Sequence, residues 1–351
     1  MNRRAFIATL PALGLARSLL AASNSPGSRI GICTFSCHQH WKAVASKQEN
    51  VKFNDALSFL RYARELGAQG VQTALRSKDA VAAKQIRSLT EQTNGYYEGE
   101  LSLPKNRSDL AGFETDVRLT REAGATVARG VLSNGRRYEV FKTLEDFHSF
   151  QAQAKQTLQL VEPVLRRHRL KLAIENHKDY TTDELLDLMA KIGSEWIGVL
   201  VDTGNNMALL EEPHGVIEKL APFALSVHLK DMAVQPCADG FLLSEVPLGT
   251  GMLDLTRIVH ALLRANRSIV FNLEMATRDP LTVPCLTPGY WASFGADRKT
   301  AYLDAMMQRV KANPPRGPIP QMTGKPVAQQ LAEEETNNRQ GLAWMQKHIH
   351  S

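Results

Sequence analysis

The sequence predicts a single α/β domain, a (β/α)8 TIM barrel with a C-terminal helical extension. Three observations carry this reading. Short apolar runs of strand character alternate with amphipathic helical stretches from Arg29 to Glu274. Eight such runs fit that span, close to the roughly 250 residues of a closed eight-unit barrel. The last four runs each end on an acid or an imidazole: Leu172-Ala173-Ile174-Glu175, Gly198-Val199-Leu200-Val201-Asp202, Leu225-Ser226-Val227-His228 and Val270-Phe271-Asn272-Leu273-Glu274.

Taken in order, the chain opens on paired arginines, Arg3 and Arg4, ahead of an apolar stretch from Ala5 to Ala16. Leu20-Ala21-Ala22-Ser23 offers small residues for cleavage. Residues 1–23 resemble a twin-arginine export signal, so an exported, periplasmic protein that engages the export machinery is expected. The stretch falls short of the roughly 20 apolar residues that span a bilayer, and no later segment is longer, so no stable membrane insertion of the mature chain is expected. The net charge of +6 overstates the basic character. Three of the 42 basic residues lie in the signal, leaving 39 against 36 acids, or about +3. No basic run or aromatic-interleaved basic stripe follows, so nucleic-acid binding gains no support. Cys33, Cys37, Cys237 and Cys285 match no zinc spacing. An oxidising compartment would permit a disulfide. A homo-oligomer is allowed for.

The predicted strands are Ile30–Phe35, Gly70–Thr73, Tyr96–Leu103, Thr126–Leu132, Lys171–Glu175, Ile197–Asp202, Ala224–His228 and Ile269–Glu274. Between them, Phe53, Leu57, Leu60 and the run Ala63 to Leu66 recur at helical spacing, as do Phe147, Phe150, Ala154, Leu158 and Val161. Asp183 to Met189 and Leu253 to Leu263 behave likewise. Gly67, Gly124 and Gly193 each follow a helical run and precede a strand, the position of helix C-terminal glycines. Regular alternation of this kind argues for a parallel sheet. The barrel is assigned to 28–280 and the extension to 281–351. In the extension, 279–298 reads as an ordered loop, 300–310 as a helix, 313–320 as an extended connector and 327–348 as a last helix. Leu331, Leu342, Trp344 and Met345 would dock that last helix on the barrel or at its mouth.

The chemistry follows from the strand ends. Active residues of such barrels sit at the carboxyl ends of the strands. Glu175, Asp202 and His228 are 27 and 26 residues apart and Glu274 lies 46 further on, near one βα unit each for the first two gaps. Four converging strand ends can therefore bring three carboxylates and one imidazole into one coordination sphere. An oxygen-rich set suits one divalent ion, Mn²⁺ foremost, with Mg²⁺, Co²⁺ or Zn²⁺ as alternatives. Such an ion polarises a carbonyl while a carboxylate takes the proton from the neighbouring carbon. Residues two apart on a strand share a face, so His177 and Lys230 should point to the same mouth as Glu175 and His228. Arg278 could clamp a substrate oxygen. Glu100 ends the third strand, and Glu245 lies in an insertion that could close over the site. His38, His40 and Trp41 follow strand one, and Trp41 could stack on a sugar face.

Ile174-Glu175-Asn176-His177, Asp202-Thr203-Gly204-Asn205, His228-Leu229-Lys230-Asp231, Pro247-Leu248-Gly249-Thr250-Gly251 with Asp254, and Leu273-Glu274 occur in that order. Together they resemble the xylose-isomerase-like TIM-barrel superfamily. That group includes sugar and sugar-phosphate isomerases and epimerases, inosose dehydratases, keto-sugar lyases and endonuclease IV. The resemblance implies Glu175, Asp202, His228 and Glu274 as metal ligands, with Glu175 and Glu274 also the catalytic acid–base pair. Many epimerase-like members carry a histidine three residues after the metal aspartate, where this chain has Asn205. Endonuclease IV uses that histidine to hold several zinc ions, so Asn205 argues against phosphodiester cleavage. An asparagine there can still hydrogen-bond a sugar hydroxyl. The expected function is a divalent-metal-dependent isomerase or epimerase acting on a ketose or keto-sugar. A keto-sugar lyase, dehydratase or decarboxylase on the same site is the alternative, and a non-catalytic sugar-binding barrel a third.

Overall fold

The computed structural model describes residues 29–349 apart from 50, 77 and 78. The export signal lies outside the described residues. Eight parallel strands close into a barrel in the order β1-β10-β7-β6-β5-β4-β3-β2. They are β1 (Arg29–Cys33), β2 (Gly70–Thr73), β3 (Tyr96–Glu100), β4 (Val127–Gly130), β5 (Lys171–Glu175), β6 (Ile197–Asp202), β7 (Ala224–Leu229) and β10 (Val270–Leu273). Between β7 and β10 stands an antiparallel hairpin, β8 (Asp231–Cys237) and β9 (Gly240–Val246), joined on its outer edge by β11 (Leu281–Val283). All eight predicted strands form. The hairpin was not anticipated as strands; its two-residue turn is Ala238-Asp239, and Gly240 opens the second strand at positive φ.

The helices are α1 (His38–Ala45), α2 (Ala56–Glu65), α3 (Ala80–Gln92), α4 (Leu110–Glu122), α5 (Arg137–Val140), α6 (Leu144–His168), α7 (Thr182–Ile192), α8 (Pro213–Leu220), α9 (Leu255–Ala265), α10 (Pro288–Trp291), α11 (Ala296–Ala312) and α12 (Val327–His348). Their ends are chemically defined. Capping boxes start α2, α6 and α7, where Asp55, Thr143 and Thr181 each accept from the third helical N–H. Gly67, Gly124 and Gly193 all take the left-handed conformation expected of them. None of the described helices is long and apolar enough to cross a membrane.

The tail is continuous with the barrel. Helix α12 lies on β1 and β10, closing the ring of helices outside the strands. A methyl group added to Gly341 would stand 2.7 Å from Leu273 Cδ1, so the glycine leaves room for the Leu273 side chain against α12. Leu342 and Met345 are buried there, while Leu331 and Trp344 are only partly covered. Glu334 accepts the His40 N–H at 3.0 Å, and Asn338 donates to Ser36 O at 2.8 Å. These bonds tie α12 to the turn after β1.

Strand parity divides the side chains. Ile32, Val71, Ile174, Val201, Val227 and Phe271 join the apolar layer beneath the helices. Alternate positions face the barrel axis and are largely polar: Gln72, Glu98, Arg129, Ser226, His228 and Asn272. Tyr96 fills the floor, its hydroxyl donating to Asn272 Oδ1 at 2.7 Å.

Candidate metal centre

Each of four neighbouring strands delivers one side chain to the carboxyl end of the barrel. Glu175 and Asp202 are the last residues of β5 and β6. His228 sits opposite Asp202 in the β6–β7 register. Glu274 follows β10 directly, its N–H still bonded to Leu229 O at 3.0 Å. One ligand atom from each of the four lies within 4.8 Å of the others, and all four residues are buried.

The surroundings aim those atoms. Asp202 Oδ1 accepts from the Gly204 and Asn205 N–H groups at 2.9 and 2.8 Å, which leaves Oδ2 for the site. His228 Nε2 lies 2.6 Å from Gln72 Oε1. An amide oxygen only accepts, so Nε2 carries a proton and Nδ1 faces the carboxylates. The Gln72 amide is itself turned by Glu98, which accepts from Gln72 Nε2 at 2.8 Å. His228 Nδ1 is 2.5 Å from Glu274 Oε2, 3.9 Å from Glu175 Oε2 and 4.0 Å from Asp202 Oδ2. Nδ1 is thus the position where a proton and a cation compete.

Two observations fit a divalent cation among these atoms. His228 Nδ1 and Asp202 Oδ2 are buried, and neither has an aligned hydrogen bond. Three carboxylates also stand closer together than like charges tolerate without positive charge between them. Lys230 supplies part of it: its ammonium lies 2.8 Å from Asp202 Oδ2 and 2.6 Å from Glu274 Oε1. An incoming cation would compete with it for both oxygens. Arg129 supplies the rest, pairing with Glu175 Oε2 and Glu100 Oε1. Burial pushes the Glu175 carboxyl up, but Arg129 and His228 outweigh it and hold its pKa at about 2. Burial lifts Asp202 to about 6 in spite of Lys230. Burial also works against the charged Glu274, yet Lys230 and His228 keep it well below the carboxylate range.

A cavity of about 230 Å³ reaches Glu175 and Glu274 and is lined further by Phe35, Arg129, Arg136, His177, Lys178 and Arg278. It is smaller than the roughly 300–1,000 Å³ typical for drug-sized ligands, and suits a single sugar unit. Of the residues expected at the mouth, His177 lines this cavity as a neutral imidazole, its pKa lowered to about 3 by burial and by Lys178. Arg278 lines it too, paired with Glu245 at 2.9 Å. Glu245, on β9, also accepts the Ala276 N–H and so pins the hairpin to the segment after β10. Glu100 anchors Arg129 and receives the Thr34 hydroxyl at 3.0 Å. The Asn205 amide is engaged at both ends: Nδ2 donates to Glu175 Oε1 at 2.9 Å, and Oδ1 accepts from Lys230 at 3.3 Å and from Lys178.

Other residues take different parts. Trp41 is buried against Phe53 and Phe59, away from the cavity lining, because α1 turns its ring into the apolar layer. His40 stacks on Phe53 at 3.9 Å, and His38 lies outside the lining. Asp231 is architectural: its carboxylate accepts from the N–H groups of Met232, Gly249, Gly251 and Leu253, which folds the Pro247–Gly251 loop around it. Sequence reasoning passed over Gln72, Arg129 and Lys178. Gln72 and Arg129 left a usable signal, since a polar residue inside a short buried strand of a barrel has to face the axis.

A closed parallel barrel with a buried carboxylate–imidazole cluster at its carboxyl end defines the class. The chain belongs to the xylose isomerase-like TIM barrel family, whose description matches residues 60–304. A stretch of 118 residues is 35% identical to the 3-oxo-isoapionate decarboxylase of Pectobacterium atrosepticum. That match covers 33% of this chain and 42% of the relative, less than half its length. Among solved structures, a D-psicose 3-epimerase crystallised with D-fructose superposes with a TM-score of 0.59 at 14% identity, covering 92% of this chain and 100% of that one. A xylose isomerase-like TIM barrel protein from Mycobacterium smegmatis, in complex with magnesium, superposes with a TM-score of 0.51 at 14% identity, covering 81% and 98%. At these identities the likeness concerns the fold.

Proposed function

We propose that this protein is a divalent-metal-dependent sugar isomerase or epimerase that moves a proton next to the carbonyl of a ketose or keto-sugar. The observation that supports it most is the pairing of two glutamates, Glu175 and Glu274, in one buried cluster that borders a sugar-sized cavity. Glu175, Asp202, His228 and Glu274 would hold one ion, Mn²⁺ foremost, with Mg²⁺, Co²⁺ or Zn²⁺ as alternatives. When bound, that ion polarises the carbonyl and acidifies the adjacent C–H. The chain's own residues do the rest. Both glutamates are ionised at neutral pH, so each begins as a proton acceptor. Arg129 and Asn205 fix the two oxygens of Glu175, and Lys230 fixes Glu274 Oε1. One carboxylate takes the proton from carbon and, now a carboxylic acid, returns it to the neighbouring carbon in an isomerisation; in an epimerisation the other glutamate, protonated from solvent water, delivers a proton to the opposite face while the first releases its own to solvent.

The second reading is a lyase or decarboxylase on the same site, and the similarity to a sugar-acid decarboxylase over 118 residues favours it. One experiment separates the two. Metal-loaded protein is incubated with ketoses and 3-keto-glycosides in D₂O and followed by NMR. Carbon-bound deuterium without loss of a fragment is expected. Release of CO₂, water or an aglycone establishes the lyase. No exchange and no release, with metal bound, defeats both and leaves a sugar-binding barrel. Export to the periplasm is part of the proposal and rests on Arg3, Arg4 and the apolar run after them. Changing both arginines to lysine should leave precursor in the cytoplasm.

A further inference from the structure

The cavity beside the carboxylate cluster contains an ammonium that makes no ion pair among the described residues. Four cations line it. Arg129 pairs with Glu100 and Glu175, Arg136 with Glu139, and Arg278 with Glu245. Lys178, three residues past Glu175, is 4% exposed. Its ammonium donates to Asn205 Oδ1 and has no carboxylate partner among the described residues. Its backbone is held as well, since Lys178 O accepts the Arg137 N–H at 2.7 Å. Arg137 in turn reaches Glu184 at 2.7 Å and Ser293 O at 2.6 Å, so the loop is fixed from three sides. The side chain is therefore set in place for a purpose that its own neighbours do not complete.

Burying an ammonium is expensive unless an anion meets it. Burial and the nearby Lys230 bring the Lys178 pKa down to about 8, which still leaves it mainly charged at neutral pH. Asp202 and Glu245 act on Lys178 only from beyond ion-pair distance, since both already pair with Lys230. A divalent ion among the four ligands would add positive charge beside Lys178 and increase the demand for an anion.

Resting on the metal-dependent sugar reading above, we infer that Lys178 is the anchor for a carboxylate carried by the substrate, which makes the substrate class a keto-sugar acid rather than a neutral ketose. A carboxylate suits the arrangement better than a phosphate. One ammonium matches one negative charge, and the other cations of the lining are taken by carboxylates of the protein. The cavity, of about 230 Å³, is lined by Lys178 as well as by Glu175 and Glu274, so one sugar acid can set its carboxylate at Lys178 and its carbonyl end toward the glutamates.

Calorimetric titration of the metal-loaded full chain at pH 7 tests this. The probes are D-fructose, D-tagatose, their acids D-fructuronate and D-tagaturonate, and D-fructose 6-phosphate. The acids should bind at least tenfold more tightly than the neutral ketoses, and the phosphate ester no better than fructose. Lys178→Met should remove that preference, changing ketose affinity less than threefold and leaving the bound metal per chain unaltered. Lys178→Arg should restore part of it. The wild-type comparison stands even if Lys178→Met folds poorly. Equal binding of acids and ketoses overturns the subsite alone, and so does a preference for the phosphate ester or one that survives Lys178→Met. If neither acids nor ketoses bind the metal-loaded protein, the sugar reading has failed and the subsite with it.

Discussion

The two halves of the barrel do different work around one point. Strands β5, β6, β7 and β10 lead to Glu175, Asp202, His228 and Glu274, the four-residue cluster, and β1 adds only the Cys33 thiol beside His228 and Glu274. Strands β1 to β4 supply none of these four. They contribute Gln72, Glu98, Glu100 and Arg129, which set the imidazole's tautomer and balance the charge. A cluster of carboxylates is poor architecture by itself, since burial raises the free energy of each charge and neighbours raise it further. The second half thus provides donor atoms, and the first half makes their charge and orientation tolerable. If this division holds, changes in the second half should abolish a function, while changes in the first half should grade it.

The largest effects should come from the donors. His228→Ala and Asp202→Ala should each strip the bound ion, measured by elemental analysis against about one ion per chain in the wild type. Three zinc ions per chain would revive a nuclease-type centre, and no ion after loading would remove the centre altogether. Next come Glu175→Gln and Glu274→Gln, which keep shape and one oxygen but cannot take a proton. Each should lower turnover by about 10²–10⁴-fold even when saturated with metal. Near-normal turnover in both would move the proton transfer to His177 or Lys230.

The same division explains what the sequence discloses. Glu175, Asp202, His228 and Glu274 were legible because each ends an apolar run, so its charge stands out against the strand. All eight barrel strands were legible for the matching reason, an apolar run between helical periods. Gln72 and Arg129 lie inside their runs, and only strand parity exposes them. Lys178 sits in a loop after β5, where position alone says nothing about burial. The part played by Asn205 turns on amide contacts with Lys178, Lys230 and Glu175, three residues distant in sequence. The β8–β9 hairpin looked like an insertion because its pairing partner, β11, arrives about 35 residues later.

Gln72 offers an intermediate test. Gln72→Leu removes the acceptor that holds the proton on His228 Nε2. Partners of this kind are worth about 10–100-fold in metal affinity. Chelator competition should show a loss in that range, with turnover at saturating metal much less affected. A loss as complete as that of His228→Ala would mean that the first half does more than grade the site.

The smallest effect should come one step further out, at Glu98. Its Oε2 accepts from Gln72 Nε2, Ser226 Oγ and Asn272 Nδ2 at 2.8, 2.7 and 2.9 Å. Glu98→Gln can keep an oxygen at that position, so the Gln72 amide stays turned and metal affinity should change less than about threefold. The removed charge should register in stability instead. Burial raises the Glu98 pKa above the usual value, with the three hydrogen bonds only partly opposing it. A carboxyl whose folded pKa is raised contributes most below its unfolded pKa and loses that contribution as pH climbs toward the folded value. Glutamine does not titrate. Relative to the wild type, Glu98→Gln should therefore gain in melting temperature as pH rises from about 4.5 toward the raised folded value, with both proteins metal-saturated and all other titrations common to the pair. A difference that stays flat with pH would show that the Glu98 carboxyl is not shifted. A metal affinity that falls 10-fold or more would show that its negative charge, rather than its acceptor oxygen, supports the imidazole.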